Sequence, residues 1–565
     1  MTGRALTVTT LLVLILALGV LFRFHDAAAV PPGLDPDEAY NGTDALIALH
    51  DHSFKVFYPL NAGREGLFIN LQALAVHVLG NEPVVLRLPS RIFGSLTILV
   101  VFLAARELFR FFRDEASEPL PIAADAVALL AAFLTATSFW HLVFSRIGYR
   151  AITDPLTSTA CLWLFMMGLR RRSTPMLAAA GFVAGLGLYG YTTFKFTVLP
   201  LAYLVLDHLR RTQPRLWSLA TVRSALRDPG LRAFAAAAVV TALPYLYLVV
   251  TSPRLLFRHA ALVSVMNTAN PLLELLASIG AVAGMFFVHG DPNWRHNISG
   301  MPLLHPLVML FFLSGLLLAV ATVVRAILAR GPDQTPQVVH PVLSVPAPLA
   351  GFLLLWLAAM LVPSVLTYEG RPHALRAIGA IPPTMILAAF GAVHLAQLLV
   401  SATLGRRLER VGWSVIAMLG FLVLAAWTHA AYFGLWADHP GTKRAFLWDA
   451  TAIARHLQSL PDGVEKYVVV GRTKKGVPVD RSWLVQPIAF LTGTATKDGQ
   501  DARHLRYILP EEIAALPPSG APRVFVLAEV PLPRVEAAIR AVAPNASIET
   551  FVDTATPPTA AGRRP

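Results

Sequence analysis

Three carboxylates, those of Asp35, Asp37 and Glu38, lie within four positions near the start of the chain. They follow the first long apolar run directly, and Pro36 restricts the backbone of the turn that they form. A carboxylate in such a turn can act as a general base that deprotonates an acceptor hydroxyl. The alternative is structural, because acidic residues also cap the N-terminus of a following helix.

Cationic side chains recur in several later segments. Arginine suits a phosphate group because its planar fork donates two parallel charge-assisted hydrogen bonds. Each of these arginines has an alternative interpretation as a snorkelling side chain or as one half of an ion pair. The candidate substrate-binding residues, which include the acidic and histidine side chains beside these arginines, are Arg64, Glu65, Arg146, Asp154, Arg295, Glu369, Arg371, His373 and Arg376.

Two roles remain open for Asp154, which begins an apolar run just beyond Arg146 and Arg150. One role is the N-cap of the helix that follows. The other role is to position the catalytic loop. The sequence favours neither role over the other.

A divalent metal is an option for this chemistry and not a requirement. The side chains that could gather around one are Asp35, Asp37, Glu38, His289, Asp291 and His296. Against a metal site, no two histidines have the spacing of ligands carried on one helix. We therefore expect that no cofactor is required.

The composition shows which kind of chain must position these groups. Of 565 residues, 55% are apolar and 14% are charged, and the mean hydropathy is +0.58. Soluble domains carry roughly 25% charged residues, so this chain is predicted to cross a membrane many times. The single cysteine, Cys161, excludes a disulfide framework and a cysteine-based metal site.

Eleven apolar runs are predicted to span the membrane. Two of them, Met176–Tyr191 and Phe196–Leu209, fall below the range of about 17–25 residues that spans usually have. A further run, Leu272–His289, is predicted to be interfacial or re-entrant, and the orientation of everything after it would reverse if it spanned. The predicted spans are Leu6–Phe22, Val84–Phe109, Ile122–Phe144, Ala151–Leu169, Met176–Tyr191, Phe196–Leu209, Ala233–Val250, Leu303–Leu328, Leu349–Leu366, Ala374–Leu399 and Val411–Phe433.

Alternate loops between these runs hold an almost pure excess of arginine, which is typical of cytoplasmic loops. The net charge of +13 is explained in this way, without a nucleic-acid partner. The first run is predicted to be an uncleaved anchor with a cytoplasmic N-terminus. The cytoplasmic loops are those with Arg106, Arg110, Arg113, Arg170, Arg171, Arg172, Arg210, Arg211, Arg215, Arg223, Arg227, Arg232, Arg325, Arg330, Arg406, Arg407 and Arg410.

The opposite loops carry the candidate chemistry, and the first of them, residues 24–83, is predicted to hold interfacial helices. Leu67, Leu71, Leu74 and Val78 recur at helical spacing, which predicts an amphipathic helix over Glu65–Leu79. Such a helix would hold the acidic turn at the membrane surface, at the level of a lipid head group. Ala39–His50 is a weaker candidate of the same kind.

The composition changes after the last run. We therefore divide the chain into a transmembrane catalytic domain (1–435), an extracytoplasmic α/β domain (440–553) and a disordered tail (554–565). Helices are predicted at Ala445–Leu460 and Leu532–Val542. The predicted strands are Tyr467–Val470, Leu505–Ile508, Val524–Leu527 and Ile548–Val552.

Four segments, 34–40 (LDPDEAY), 87–94 (RLPSRIFG), 145–154 (SRIGYRAITD) and 290–297 (GDPNWRHN), resemble polytopic GT-C glycosyltransferases. The most similar branch contains the protein O-mannosyltransferases and the bacterial lipid A aminoarabinose transferases. The resemblance covers roughly residues 5–400. It implies a GT-C-like membrane fold in a bacterial-type plasma (inner) membrane, with the active site on the extracytoplasmic face.

The resemblance also implies an activity, the transfer of a sugar from a polyprenyl-phosphate carrier. The catalytic acidic pair of the family corresponds to Asp37 and Glu38. The resemblance does not identify the acceptor, which is a glycan, a lipid or a protein in different relatives. One departure concerns segment 61–66 (NAGREG), where relatives often have Lys or His followed by two prolines, so that Arg64 is the only candidate there for a phosphate-binding cation.

Sugar transfer of this kind needs a base and cations but no strong acid, because a glycosyl phosphate already has a good leaving group. We expect Asp37 to be the base and Glu38 to orient the acceptor, with inversion at the anomeric carbon by family analogy. The alternative function is a lipid or solute transporter or flippase. Against it, the chain has no evident repeated halves. A non-catalytic scaffold would leave the acidic turn and the arginines unexplained.

Overall fold

A computed structural model describes residues 3–112, 122–212, 218–328, 346–402, 407–471 and 477–549. Most of these residues are helical. The helices are α1 (Gly3–Phe24), α2 (Pro36–His50), α3 (Gly66–Leu79), α4 (Pro83–Leu86), α5 (Leu88–Phe111), α6 (Ile122–Thr137), α7 (Phe139–Arg146), α8 (Thr153–Arg171), α9 (Thr174–Gly187), α10 (Val198–Thr212), α11 (Leu219–Arg227), α12 (Pro229–Thr251), α13 (Pro253–Leu262), α14 (Pro271–Gly284), α15 (Pro306–Leu328), α16 (Ala347–Val365), α17 (Ile381–Ala402), α18 (Arg407–His429), α19 (Pro440–Ala445), α20 (Trp448–Ser459), α21 (Gln486–Thr492), α22 (Lys497–Ala502) and α23 (Leu532–Val542).

Shorter elements connect these helices. The strands are β1 (Phe57–Tyr58), β2 (Arg64–Glu65), β3 (Glu465–Val470), β4 (Leu505–Ile508) and β5 (Arg523–Ala528). Single 3₁₀ turns include Arg150–Ile152, Thr192–Thr197 and Ile378–Ala380. The last long apolar helix, α18, continues into a π-helical turn over Ala430–Trp436.

Seven helical stretches in the described part of the chain are long and apolar enough to cross a membrane, so the chain is a multi-pass membrane protein. An eighth is present if the bent pair α6 and α7 counts as one span. The count of eleven stays a prediction, since α9 and α10 have only 14 and 15 residues. The seven are Gly3–Phe24, Pro83–Phe111, Pro229–Thr251, Pro306–Leu328, Ala347–Val365, Ile378–Leu399 and Met418–Trp436.

The run that we predicted to be interfacial or re-entrant forms α14, which has 14 residues. At 1.5 Å per residue such a helix is about 21 Å long, shorter than the roughly 30 Å of a hydrocarbon core. The structure therefore agrees with the interpretation that this segment does not cross the membrane as a straight helix.

The bend of 56° between α6 and α7 leaves backbone carbonyls without their usual helical partners. The buried guanidinium of Arg23 donates to the carbonyls of Thr135 and Ala136, at 3.5 and 3.3 Å. The hydroxyl of Thr428 donates to the carbonyl of Thr137 at 2.6 Å. These side chains supply the hydrogen bonds that an apolar environment does not offer, so the break is tolerated.

Ion pairs connect several of the ends that carry arginine-rich loops. Asp125, near the start of α6, pairs with Arg4 at 2.7 Å and with Arg106 at 2.8 Å. Glu107 of α5 pairs with Arg170 of α8 at 2.5 Å. These helix ends therefore lie on one face of the bundle, as a shared cytoplasmic side requires, while the orientation itself stays a prediction. Outside the described residues are Arg113, Arg215, Arg330 and Arg406.

The predicted amphipathic helix of the first outer loop is α3, which begins one residue later than expected. Its predicted apolar face is the outer one, since Leu74 and Val78 are 60% and 69% exposed. Phe68 and Ala73 face the protein interior instead. An exposed apolar face is typical of a helix that lies in a membrane surface. The hairpin of β1 and β2 before it was not predicted.

The chain divides into two compact units. The first comprises Met1–Ala27, Lys55–Leu71 and Arg87–Trp436. The second comprises Ala28–Phe54 and Gln72–Leu86 together with Ala437–Pro565. The acidic turn and α2 thus belong to the same unit as the C-terminal segment, whereas the separate domain at 440–553 stays a prediction.

A parallel sheet with the order β4–β3–β5 lies in the second unit. Alternate residues of β3 enter two apolar clusters, Val468 and Val470 one cluster and Tyr467 and Val469 the other. Both faces of the sheet are therefore buried, as parallel sheets require. Three of the four predicted strands are present. The fourth is not formed at residues 548–549, and its remaining residues, like the tail 554–565, lie outside the described part.

Candidate active site

The acidic turn begins α2 with a complete capping box. Asp35 is the N-cap residue, and its carboxylate accepts a hydrogen bond from the backbone N–H of Asp37 at 2.8 Å. The carboxylate of Glu38 accepts one from the backbone N–H of Asp35 at 3.3 Å. Asp35 and Glu38 are both 0% exposed, whereas Asp37 is half-buried and its carboxylate takes no part in the box. The capping interpretation of the turn therefore applies to Asp35 and Glu38, whereas the role of general base stays a prediction for Asp37.

Helix α2 is fixed by contacts along its length. Tyr40 donates from its hydroxyl to the carbonyl of Arg481 at 2.9 Å, and Thr43 donates to the side-chain oxygen of Gln486 at 2.7 Å. A Cβ on Gly42 would lie 2.4 Å from a ring carbon of Phe490 in α21. A larger residue at position 42 would therefore force the Phe490 ring to shift. These contacts join α2, which begins at the acidic turn, to the C-terminal part of its unit.

Glu65, which belongs to the first unit, forms an ion pair with an arginine from a different segment. Its carboxylate pairs with Nε of Arg150 at 2.7 Å, and the Arg150 guanidinium lies 5.4 Å from the ring centroid of Tyr191. The neighbouring Arg64 is 2% exposed and donates from Nε to the carbonyl of Leu60 at 3.3 Å. Glu65 is therefore an ion-pair partner, a role that its sequence neighbours did not suggest.

Asp154 is fully buried in the first turn of α8. Its carboxylate accepts a hydrogen bond from the hydroxyl of Thr193, in the 3₁₀ turn between α9 and α10. A Cβ on Gly379 would lie 2.7 Å from the same carboxylate oxygen. This side chain therefore joins three separate segments. The N-cap residue of α8 is Ile152, without a side-chain capping bond, so Asp154 is not the N-cap, and its role in positioning the catalytic loop stays a prediction.

Arg146 lies at the end of α7 with its guanidinium among backbone carbonyls and rings. It donates to the carbonyls of Phe22 at 2.7 Å and Asp26 at 3.2 Å. It also lies 5.2 Å from the ring centroid of Tyr432 and 4.8 Å from that of Phe433. Snorkelling does not describe this side chain, because it is 0% exposed and joins α1, α7 and the π-helical turn.

The two later arginines are each paired with a carboxylate. Arg371 contacts Glu274 of α14 at 2.5 Å, and its guanidinium also donates to the hydroxyl of Ser278 at 3.2 Å. Arg376 contacts Glu369 at 3.4 Å and donates to the backbone carbonyl of the same residue at 2.9 Å. A phosphate at either place would therefore have to replace a carboxylate.

A third group contains Asp291, His296 and His373, whose possible ligand atoms all lie within 4.8 Å of one another. Asp291 and His296 are among the residues that the sequence offered for a metal, and His373 was expected to bind substrate. His289 is not a member of this group in the described structure. Arg295 lies in the same loop and donates to the hydroxyl of Tyr149 at 3.5 Å. The oxygen and nitrogen donors of the group suit a divalent metal.

Comparisons with known proteins were made on sequence and on structure. No family model and no curated protein matches the chain. Among solved structures, it is similar to ArnT from Cupriavidus metallidurans bound to undecaprenyl phosphate, with 16% identity, a TM-score of 0.48 and coverage of 96% of both chains. The apo form of ArnT gives 16% identity, a TM-score of 0.49 and coverage of 95% of both chains.

A third similar structure is the Archaeoglobus fulgidus oligosaccharyltransferase in complex with Zn and sulfate. It has 14% identity and a TM-score of 0.42, over 89% of this chain and 68% of that one. This enzyme and ArnT are both GT-C glycosyltransferases. A likeness at these identities assigns no role to any side chain. These structures belong to the class that the four sequence segments resemble, and at TM-scores below 0.5 the likeness carries no argument about the activity of this chain.

Proposed function

We propose that this protein transfers a sugar from a polyprenyl-phosphate carrier to an acceptor hydroxyl at the extracytoplasmic face of the membrane. The observation that supports the proposal is that the three carboxylates of the acidic turn have different structural roles. Asp35 and Glu38 hold the backbone of the turn, and Asp37 is held half-buried between them. The backbone of Asp37 is fixed by the box and its carboxylate is not one of the two that cap the helix, which suits a general base.

The proposed reaction is a single displacement. The carboxylate of Asp37 takes the proton of the acceptor hydroxyl, and the acceptor oxygen attacks the anomeric carbon. The bond from that carbon to the phosphate oxygen breaks, its electron pair leaves with the polyprenyl phosphate, and the configuration inverts. Cations stabilise the charge that develops on the departing phosphate. Glu38 is a positioning residue in this scheme, because it acts through the capping box.

Arginine side chains of the first unit are proposed to bind the lipid phosphate. Arg371 and Arg376 are the leading candidates, since both follow α16 closely and both pair with a partly exposed carboxylate. The buried Arg64 is the third candidate. The orientation that this proposal requires can be tested separately. A reporter fused after Pro565 should be active only outside the cytoplasm, and activity only inside it would contradict the orientation.

The activity itself is tested with purified protein and a panel of polyprenyl-phosphate-linked sugars. Release of polyprenyl phosphate should depend on both protein and acceptor. Asp37→Asn should abolish that release while its thermal unfolding stays like that of the wild type. Asp51→Asn, at the other end of the same helix, is the matched control and should transfer normally. Near-normal transfer by Asp37→Asn would refute the base assignment.

A transporter or flippase would behave differently in the same preparation. Reconstituted in vesicles, it would move the lipid-linked sugar across the bilayer and leave the bond to phosphate intact. Lipid movement without any cleavage across the donor panel would favour that function over the one proposed.

A further inference from the structure

We infer that Asp291, His296 and His373 form a binding site for one divalent transition-metal ion of the Zn²⁺ class. The site lies in the first unit and joins the loop after α14 to the segment before α17. It goes beyond the proposed sugar transfer, which needs no metal.

The distances between the ligand atoms fit a small ion. Oδ2 of Asp291 lies 2.9 Å from Nδ1 of His296 and 3.8 Å from Nδ1 of His373. With metal–nitrogen and metal–oxygen bonds of 2.0–2.2 Å, ligand atoms of a tetrahedral zinc site lie about 3.3 Å apart. The two observed distances lie on either side of that value. All three ligand atoms lie within 4.8 Å of one another, so shifts of about 1 Å would bring them to bonding distance of one ion.

A simple hydrogen-bonded pair does not explain the whole arrangement. The contact between Asp291 and His296 fits an ordinary hydrogen bond. At 3.8 Å, however, the nitrogen of His373 is too far from Asp291 for one. The two imidazole rings nevertheless lie 5.0 Å apart between centroids, with an interplanar angle of 35°. A shared ion accounts for why two imidazoles converge on one buried carboxylate.

Burial strengthens this inference. Asp291 and His296 are 1% and 2% exposed, so a bare carboxylate charge there is costly unless it is compensated. Two backbone N–H groups already donate to this carboxylate, and a bound cation would add to the compensation of its charge. The side chain of His373 is 15% exposed, which gives an ion and its exchanging water a way in. With three protein ligands, one coordination position stays open for water or for an anionic ligand.

The loop is shaped before any ion binds. Oδ1 of Asp291 accepts a hydrogen bond from the backbone N–H of Asn293 at 2.8 Å, which fixes the carboxylate plane. The backbone N–H of Gly300 donates to the carbonyl of Asp291 at 3.1 Å and closes the loop. Oδ2 accepts from the backbone N–H of Ala374 at 2.8 Å, next to His373. The carbonyl of Ala374 accepts from the ring nitrogen of Trp140 at 3.1 Å.

The donor set indicates which ions would bind. Two imidazoles and one carboxylate suit Zn²⁺ and other first-row divalent ions, whereas Mg²⁺ prefers a shell of oxygens. Co²⁺ is therefore a suitable probe, because it occupies zinc-type sites and gives visible absorption bands that report low coordination. We expect Zn²⁺ to displace it and Mg²⁺ to have no effect.

The experiment uses the full-length chain purified without a polyhistidine tag and stripped with a chelator. Titration with Co²⁺ should give absorption that saturates at one equivalent, and elemental analysis after Zn²⁺ loading should give one zinc per chain. His373→Ala should weaken zinc binding at least ten-fold, since loss of even an outer partner of a metal ligand costs about 10–100-fold. His289→Ala, an exposed histidine of the same loop, is the matched control and should bind as the wild type does.

Thermal unfolding provides the second readout. At one Zn²⁺ concentration, the Tm of the wild type and of His289→Ala should rise by similar amounts, and that of His373→Ala should rise clearly less. The metal-free forms of all three should unfold at similar temperatures, which distinguishes a lost ligand from a misfolded variant. The inference is overturned if the wild type binds no stoichiometric Co²⁺ or Zn²⁺. It is also overturned if both variants bind equally well, or if only His289→Ala loses the ion. None of these outcomes depends on sugar transfer.

Discussion

Replacing Glu38 with glutamine separates the structural role of the acidic turn from its proposed chemical role. Glutamine at the third position of a helix can complete a capping box as glutamate does. The bond from the backbone N–H of Asp35, 3.3 Å long in the wild type, should therefore persist in Glu38→Gln. Because Asp37 then keeps its place, we expect turnover within about three-fold of the wild type, a change of less than 1 kcal/mol in the barrier.

Two further variants, Glu38→Ala and Asp37→Asn, show how large the effects on stability and on rate should be. Glu38→Ala removes one half of the box, and loss of an N-terminal cap costs about 0.5–2 kcal/mol of stability. That cost should lower the unfolding temperature without abolishing turnover. Asp37→Asn should instead lower turnover strongly and leave the unfolding temperature unchanged. Loss of a general base costs about 10²–10⁴-fold in rate, or roughly 2.7–5.4 kcal/mol at 1.36 kcal/mol per factor of ten.

The assay measures kcat and KM for the lipid-linked donor together with thermal unfolding followed by tryptophan fluorescence. We expect Glu38→Ala to change the unfolding temperature and Asp37→Asn to change kcat. If Glu38→Gln unfolds normally and yet loses as much activity as Asp37→Asn, then the charge of Glu38 takes part in the chemistry. In that case the assignment of Glu38 to the capping box alone is wrong.

Three further perturbations test other parts of the structure. Arg371→Ala and Arg376→Ala should raise the apparent KM for the lipid donor by up to about ten-fold, with the larger effect at Arg376, since a charge-assisted contact is worth about 1.5–3 kcal/mol and 1.4 kcal/mol is ten-fold. Wild-type donor dependence in both would place the phosphate elsewhere. Gly42→Ala should destabilise the protein by about 1–3 kcal/mol through its clash with Phe490, and Phe490→Leu should restore most of the loss in a thermal-unfolding measurement. Partial burial raises the pKa of Glu465, but hydrogen bonds from three side chains outweigh it and hold the pKa below its usual value. Its contribution to stability should be lost as the pH falls through that lowered pKa, and a Glu465→Gln variant should lack this acid-side dependence.

Features that depend on neighbouring residues were predictable from the sequence. The capping box of α2 needs only an N-cap acid and a glutamate three residues later. The 3.6-residue periodicity gave α3 to within one residue, and α23 was predicted at its observed bounds. The three strands of the parallel sheet were found from short apolar runs between turn residues. In each case a local rule determines the local structure.

Pairings between distant residues were not predictable. Arg371 and Glu274 are 97 positions apart, and His373 and Asp291 are 82 apart, so no spacing rule connects them. The grouping of Ala28–Phe54 with the C-terminal segment is of the same kind. The sequence therefore showed which side chains are acids, cations or imidazoles. It did not show which of them pair with each other, because tertiary packing determines the pairs.

The partners found in the structure rank the arginines as phosphate ligands. An arginine that already pairs with a carboxylate can bind phosphate only by exchange, so its net contribution is the new contact minus the old one. A solvent-exposed ion pair contributes about 0–1 kcal/mol, against about 1.5–3 kcal/mol for a charge-assisted bond in a formed site. Glu369, the partner of Arg376, has a side chain that is 61% exposed, and Glu274, the partner of Arg371, has one that is 32% exposed.

The pair between Arg150 and Glu65 lies at the other extreme, because the side chain of Glu65 is only 7% exposed. Removing its cation would leave a buried carboxylate uncompensated, which costs more than a surface pair is worth. Exchange is therefore easiest at Arg376, harder at Arg371 and disfavoured at Arg150. If phosphate binding follows this order, the effects of the alanine variants on donor KM should fall from Arg376 to Arg371, and Arg150→Ala should act mainly on stability.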